Sequence, residues 1–238
     1  MPDYLYHHEP ETLVFETEVV QRRPGAVRLA RSFLHPGGGG QVSDRATLVH
    51  SGGSTGIIGI TVENGNWWHL FDSEEAPVDG RVEVRIDAAH RSIVSQLHTD
   101  SHVLNALVFR RFAGALVTGA QINGDGLGRM DFDLPDFDND KLRGLEEEIN
   151  EVIREGLPVV TRYLPFDEAR AAPGLLRSAA VAPPPNADGT VRIVEIVGLD
   201  AQACGGTHLT NTSQSRPIGI TKVENKGRHN RRVRFALA

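Results

Sequence analysis

Cysteine is almost absent from this chain of 238 residues: Cys204 is the only one. No internal disulfide can form, so nothing points to an oxidising compartment. No segment reaches the roughly 18 consecutive apolar residues of a membrane helix. The opening "MPDYLYHHEPETLVF" has no basic region followed by an apolar run, so no secretory signal is visible and a cytoplasmic location is expected. No period of roughly 20–50 residues repeats, so a solenoid is not expected. Excess positive charge is also missing. With 25 Lys and Arg against 31 Asp and Glu the formal net charge is −6, which argues against a broadly basic, nonspecific nucleic-acid binder.

What remains is an ordinary folding composition, 39% hydrophobic and 24% charged, long enough for one large domain or two small ones. Residues 1–86 read as β-rich. "TLVFETEVVQ", "AVRLARSFLH", "ATLVH", "STGIIGITVEN", "NWWHLF" and "GRVEVRID" are short runs with β-branched residues, punctuated by Gly, Asn, Asp and Pro. Asn64-Gly65 is a strong hairpin signal. Trp67 and Trp68 alternate faces, one in the core and one partly exposed. The expected form is an antiparallel, barrel-like domain.

The character changes near Asp87. "DAAHRSIVSQLHTDSHVLNALVFRRF" has no Gly or Pro and begins with an N-cap residue, which predicts one long helix. Strands "ALVTGAQI" and "GRMDFDL" follow, then a second helix over "DNDKLRGLEEEINEVIREG", a strand at "LPVVTRYLPF" and a polyproline-type loop at "APPPNADG". "TVRIVEIVG", "RPIGITKVEN" and "RRVRFAL" close the chain as strands. The fold class is therefore α+β: a β domain over 1–86, then an α+β domain over 87–238 with the long helix packed on an antiparallel sheet. Acids gather in "MDFDLPDFDND" and "GLEEEINEVIREG", whereas the tail carries Arg216, Lys222, Lys226, Arg228, Arg231, Arg232 and Arg234. A basic edge on an acidic body suits a polyanion docked in one orientation. A solvated strand edge guarded by positive charge explains the same residues equally well.

Two pairs of residues carry candidate chemistry. In "LHTDSHVL", His98 and His102 stand at i and i+4, about 40° apart on one helix face. In "ACGGTH", Cys204 and His208 have the same spacing, but the intervening glycines predict a tight loop between strands. Two nitrogens from a helix with one sulfur and one nitrogen from a loop form a donor set that zinc takes tetrahedrally. A histidine pair at this spacing is more often a surface or core pair, so the joint occurrence with the sole cysteine carries the argument.

These motifs resemble the HxxxH and CxxxH motifs of the editing domain of alanyl-tRNA synthetase and its free-standing AlaX-type relatives. "FLHPGGGGQVSDRATL", "VTGAQINGDGLGRMDFDL" and "ITKVENKGRHNRRVRFAL" are similar to further stretches of that family, in the same order. The resemblance implies hydrolysis of the ester joining a wrong amino acid, typically serine, to alanine tRNA. It implies zinc on His98, His102, Cys204 and His208, and an active-site role for Gln121. Ser101 stands where the family usually has threonine, and Thr99 is a further hydroxyl for the amino acid. The segment Gly38, Gly39, Gly40 and Gln41 would pack near the pocket. Lys226, Arg228, Arg231 and Arg232 would hold the tRNA acceptor end. No aminoacylation portion is present, so editing would occur in trans.

This chain departs from the family at Gly124, where a serine is frequent, and at Asp100, which faces the stripe of Ile93, Leu97, Leu104 and Leu107 and needs a partner there. Other readings stay open: a zinc hydrolase of the same fold acting on a small ester or amide, or a noncatalytic tRNA-binding module whose zinc is a closed structural knot. Four protein ligands favour the knot, since catalytic zinc keeps an open position. Ser101 bonding back to a helix carbonyl, Gln121 as a plain strand residue and the glycines as a flexible hairpin are the corresponding structural readings.

Overall fold

The computed structural model describes residues 4–135, 138–177, 183, 185–186 and 188–238. The expected polyproline-type loop at 182–189 lies partly outside the described residues. Two compact units emerge: Met1–Gly38 with Val42–Ser92, and Gly39–Gln41 with Ile93–Ala238.

The first unit opens with a short helix, α1 (Leu5–His8), followed by β1 (Val14–Arg23), β2 (Ala26–Leu29), β3 (Ala46–His50), β4 (Gly53–Glu63), β5 (Asn66–Phe71) and β6 (Arg81–Ile86). These strands close into an antiparallel barrel in the order β1-β2-β5-β4-β3-β6. The period-two pattern explains the closure. Val82, Val84 and Ile86 of β6 point inward, joining Phe15, Val27, Leu48 and Ile57 in a shared core. The β4–β5 turn uses Asn64 and Gly65, both with positive φ, as a two-residue hairpin of the expected kind requires. β2 ends at Leu29 rather than running on to His35. There the Thr17 hydroxyl takes over from the strand ladder, donating to the Arg31 carbonyl and accepting from the Arg31 amide at 3.1 Å. The expectation for the tryptophans also needs correction, because both are buried. Trp67 packs against Tyr4, and the Arg23 guanidinium covers Trp68 at 4.2 Å.

Helix α2 (Ala88–Arg111) begins in the first unit and continues into the second. Asp87 caps it, its carboxylate accepting from the His90 amide at 3.0 Å. The second unit adds β7 (Val117–Ile122), β8 (Leu127–Asp133), α3 (Asn139–Arg143), α4 (Leu145–Glu155), β9 (Val159–Pro165), α5 (Phe166–Ala171), β10 (Thr190–Ile196), β11 (Asp200–Ala203), β12 (Ile218–Lys226) and β13 (Asn230–Leu237). Two antiparallel sheets result, ordered β12-β13-β8-β7 and β11-β10-β9. The single helix expected over 138–156 is two, because Gly144 ends α3 and starts α4. α4 buries Leu145, Ile149, Val152 and Ile153 on one face and carries Glu146, Glu147 and Glu148 in its first turn, a sign that suits the helix dipole.

From Val94 to Ala106, α2 is buried on every side. A helix so enclosed is normally apolar all round, yet this stretch reads "VSQLHTDSHVLNA". Its polar side chains must therefore find partners inside. None of the described helices is long and apolar enough to cross a membrane.

Candidate metal centre

The polar middle of α2 supplies half of a donor cluster. His98 and His102 lie one turn apart, and the loop after β11 brings Cys204 and His208 to them. One ligand atom from each of the four lies within 4.8 Å of the others, the only such grouping among the described residues. The sulfur of Cys204 is 3.4 Å from His98 Nε2 and 3.3 Å from His208 Nε2. Donors on a tetrahedral zinc stand roughly 3.5 Å apart, given bonds of about 2.0–2.3 Å. The cluster thus fits a metal ion in both spacing and donor type.

The loop reaches this position because its backbone is fastened and one residue is bare. Arg192 of β10 is buried and donates to the Gly206 carbonyl at 2.8 Å and the Cys204 carbonyl at 3.2 Å. The Cys204 amide in turn donates to the Arg192 carbonyl. A Cβ on Gly206 would stand 2.1 Å from His98 Cε1, so the close approach of loop to helix depends on glycine. The Gly206 amide donates to the Cys204 sulfur at 3.4 Å.

One histidine of the helix and the histidine of the loop are each held from behind. His98 Nδ1 is 2.7 Å from Gln41 Oε1, and His208 Nδ1 is 3.3 Å from Thr99 Oγ1. Gln41 comes from the glycine-rich segment, which is no free hairpin at this end. The Gly40 carbonyl accepts from the Ile122 amide at 2.7 Å, and a Cβ on Gly40 would meet the Ala120 carbonyl at 2.8 Å. Gly38 and Gly39 also have positive φ, with open space where a Cβ would be.

Burial sets the charge states. It pushes the His102 imidazole down to about 3, helped by the nearby positive charges of Arg192 and Arg177. His102 is therefore neutral, as a metal ligand must be. Burial pushes the Cys204 thiol up, against the opposing Gly206 amide and Arg192 charge. A metal ion supplies the positive charge that a thiolate in this place needs. Asp100 is fully buried with Ser215 donating to its Oδ2 at 2.8 Å, while Oδ1 has no hydrogen-bond partner. Burial raises its carboxyl to about 7.

The other residues singled out in the sequence fall in different places. Thr99 touches the cluster through His208, and its oxygen also accepts from the Leu209 amide at 3.1 Å. The Ser101 hydroxyl donates to the His98 carbonyl at 2.7 Å. Gln121 is exposed on β7, where it accepts from Arg129 and donates to Asn123. Gly124 sits in the turn between β7 and β8. Lys226 and Arg228 are exposed at the β12–β13 turn. Arg232 is engaged by both carboxylate oxygens of Asp131 at 2.7 Å, and Arg231 is buried and donates to the Asn230 carbonyl. Spacing alone gave no sign of the Gln41, Thr207 or Arg192 contacts. Arg192 does stand out as a lone cation in the apolar strand "TVRIVEI".

Comparison with known proteins adds a second line. The family model described as threonyl and alanyl tRNA synthetase second additional domain matches residues 191–234, the stretch that holds Cys204, His208 and most of the last two strands. The alanyl-tRNA editing protein AlaX-M of Saccharolobus solfataricus is 35% identical over 242 residues, covering 100% of this chain and 99% of its own length. That of Methanosarcina acetivorans is 37% identical over 223 residues, covering 89% and 88%. The alanine–tRNA ligase of Methanothrix thermoacetophila is 31% identical over 237 residues, which span 98% of this chain and 25% of the ligase.

Proposed function

Since the chain belongs to the family of free-standing, AlaX-type alanyl-tRNA editing proteins, we propose that it is a zinc-dependent deacylase that removes serine from mischarged alanine tRNA in trans. The observation that carries this reading is the meeting of His98, His102, Cys204 and His208 within 4.8 Å. These four would hold the zinc, which when bound supplies Lewis-acid polarisation or orientation of water or substrate. In the reaction, water adds to the ester carbonyl carbon and the bond to the ribose oxygen breaks. That oxygen takes a proton, releasing the free amino acid and an intact tRNA end.

The chain's own residues bind and orient. Thr99, whose hydroxyl lies 3.3 Å from His208 Nδ1, is assigned to the serine side chain. Ser101 keeps an acceptor lone pair beyond its bond to His98, and Gln121 is the third polar group assigned to the amino acid. Polar groups left unsatisfied by alanine would spare the correctly charged tRNA. Lys226 and Arg228, exposed at the β12–β13 turn, are assigned to the acceptor-stem phosphates, with Arg232 contributing beside Asp131 and Arg231 held inside as support.

The test is single-turnover deacylation of Ser-tRNA(Ala) and Ala-tRNA(Ala), by wild type and His98→Ala, with bound metal measured. Wild type is expected to clear the seryl ester faster, and His98→Ala to lose both metal and activity. Equal turnover of the two esters overturns the serine assignment. The four-donor count favours a second reading, a closed zinc knot beneath a tRNA-binding surface. Bound zinc and tRNA without any hydrolysis would select it.

A further inference from the structure

Gln41 is separated from His98 by 57 positions and from Thr207 by 166, yet its side-chain amide meets both. The Thr207 backbone amide donates to Gln41 Oε1 at 3.0 Å. A backbone N–H can only donate, so this contact fixes which end of the Gln41 amide is oxygen, an assignment often ambiguous from shape alone. The same oxygen lies 2.7 Å from His98 Nδ1. An amide oxygen only accepts, so Nδ1 must carry the proton. Nε2, 3.4 Å from the Cys204 sulfur, is then the bare nitrogen. At the other end Gln41 Nε2 donates to Thr207 Oγ1 at 3.0 Å, and that hydroxyl oxygen also accepts from Ser95 Oγ at 2.9 Å. Gln41 is 3% exposed, so water cannot readily replace it.

We propose that Gln41 is a positioning residue of the metal centre: it locks His98 in the Nδ1–H form with Nε2 turned to the donor cluster, and it fastens the Cys204–His208 loop to α2 through Thr207. A hydrogen bond of this kind behind a metal-binding imidazole orients the ring and raises its basicity, and its removal costs roughly 10–100-fold in metal affinity. The glycine-rich segment is thereby a third arm of the centre, beside the helix and the loop. The affinity part rests on the metal reading given above, whereas the tautomer part holds for the metal-free protein.

The experiment compares wild type, Gln41→Met and Gln41→Glu. In metal-free protein, long-range proton–nitrogen NMR of the imidazoles reads the His98 tautomer. Cobalt titration in competition with a chelator reads affinity. Gln41→Glu keeps the oxygen facing His98 Nδ1 and the Thr207 amide, and replaces only the donor to Thr207 Oγ1 by an acceptor to which that hydroxyl can turn its proton. Wild type and Gln41→Glu are therefore expected to show the Nδ1–H form and similar affinities. Gln41→Met is expected to show mixed tautomers and affinity lower by about 10–100-fold. An unchanged His98 tautomer in Gln41→Met overturns the proposal, whatever the metal does. A wild type that takes up no cobalt or zinc overturns the metal reading and the affinity part with it, while the tautomer comparison still decides the role of Gln41.

Discussion

A methyl group on Gly206 would stand 2.1 Å from His98 Cε1 and 2.5 Å from Gln41 Oε1. The φ of Gly206 lies outside the left-handed region, so glycine is needed there for room and not for backbone freedom. Gly206→Ala must push the loop off the helix, and metal affinity is expected to fall at least ~10-fold, by the cost of disturbing a ligand's surroundings. Gly205→Ala, whose Cβ would meet nothing within 4 Å, is the control and should bind metal as wild type does. Chelator competition on both variants checks this, and equal loss in the two would remove the steric argument. At this scale the sequence was partly legible. The ligands stood out because helical spacing and a glycine loop each present a pair. Gln41, Thr207 and Arg192 act across long separations, and no local periodicity marks a contact made only when distant strands meet.

The strands of the barrel were legible for the opposite reason: alternating β-branched residues and the Asn64-Gly65 turn are local signals. β5 shows what such signals omit. His69 is buried in it, its ring 3.3 Å from the Val27 carbonyl of β2 and 2.9 Å from the Ser32 hydroxyl. Burial pushes its imidazole down to about 4, against the opposing hydrogen bond to Val27. Its folded value lies below the ordinary 6.5, so the neutral ring's contribution is complete above about pH 6.5 and is lost as pH falls toward 4. The loss is at most about 3 kcal/mol. Urea midpoints measured from pH 7.5 down to 4.5 should fall less steeply for His69→Gln, which keeps a donor and an acceptor without titrating. Identical slopes would exclude His69 as a source of the acid sensitivity. The elements missed were short or polar. β11 is "DAQA", with no β-branched residue, and α3 and α4 differ from one helix only by the break at Gly144. The polar middle of α2 hid its complete burial. Asn105 bonded to Gln202, Ser95 to Thr207 and Asp100 to Ser215 are the compensation that makes such a helix tolerable inside.

Over the whole molecule, a formal charge of −6 opposes approach to a polyanion, so any docking must rely on a local cationic site. The structure separates the tail cations by availability. Lys226 and Arg228 are exposed, Arg232 is engaged by Asp131, and Arg231 is 5% exposed. Replacing Lys226 and Arg228 by Ala should weaken tRNA binding and reduce the salt slope by about one for each phosphate no longer neutralised. Arg231→Ala should lower the unfolding midpoint instead. Filter binding across salt, with thermal unfolding alongside, separates the effects. An unchanged slope in the double variant would place the phosphate-binding cations elsewhere.

Having a lone thiol seated among three imidazoles makes the centre its own reporter. Any maleimide or disulfide reagent consumed by the intact chain has marked this one loop, with no second sulfhydryl to dilute the count. Labelling stoichiometry therefore equals the fraction of molecules whose donor set is open to attack, and metal that occupies the set should show itself as protection. The same uniqueness is a vulnerability: a single oxidation event removes the only sulfur donor that the set could offer a metal ion.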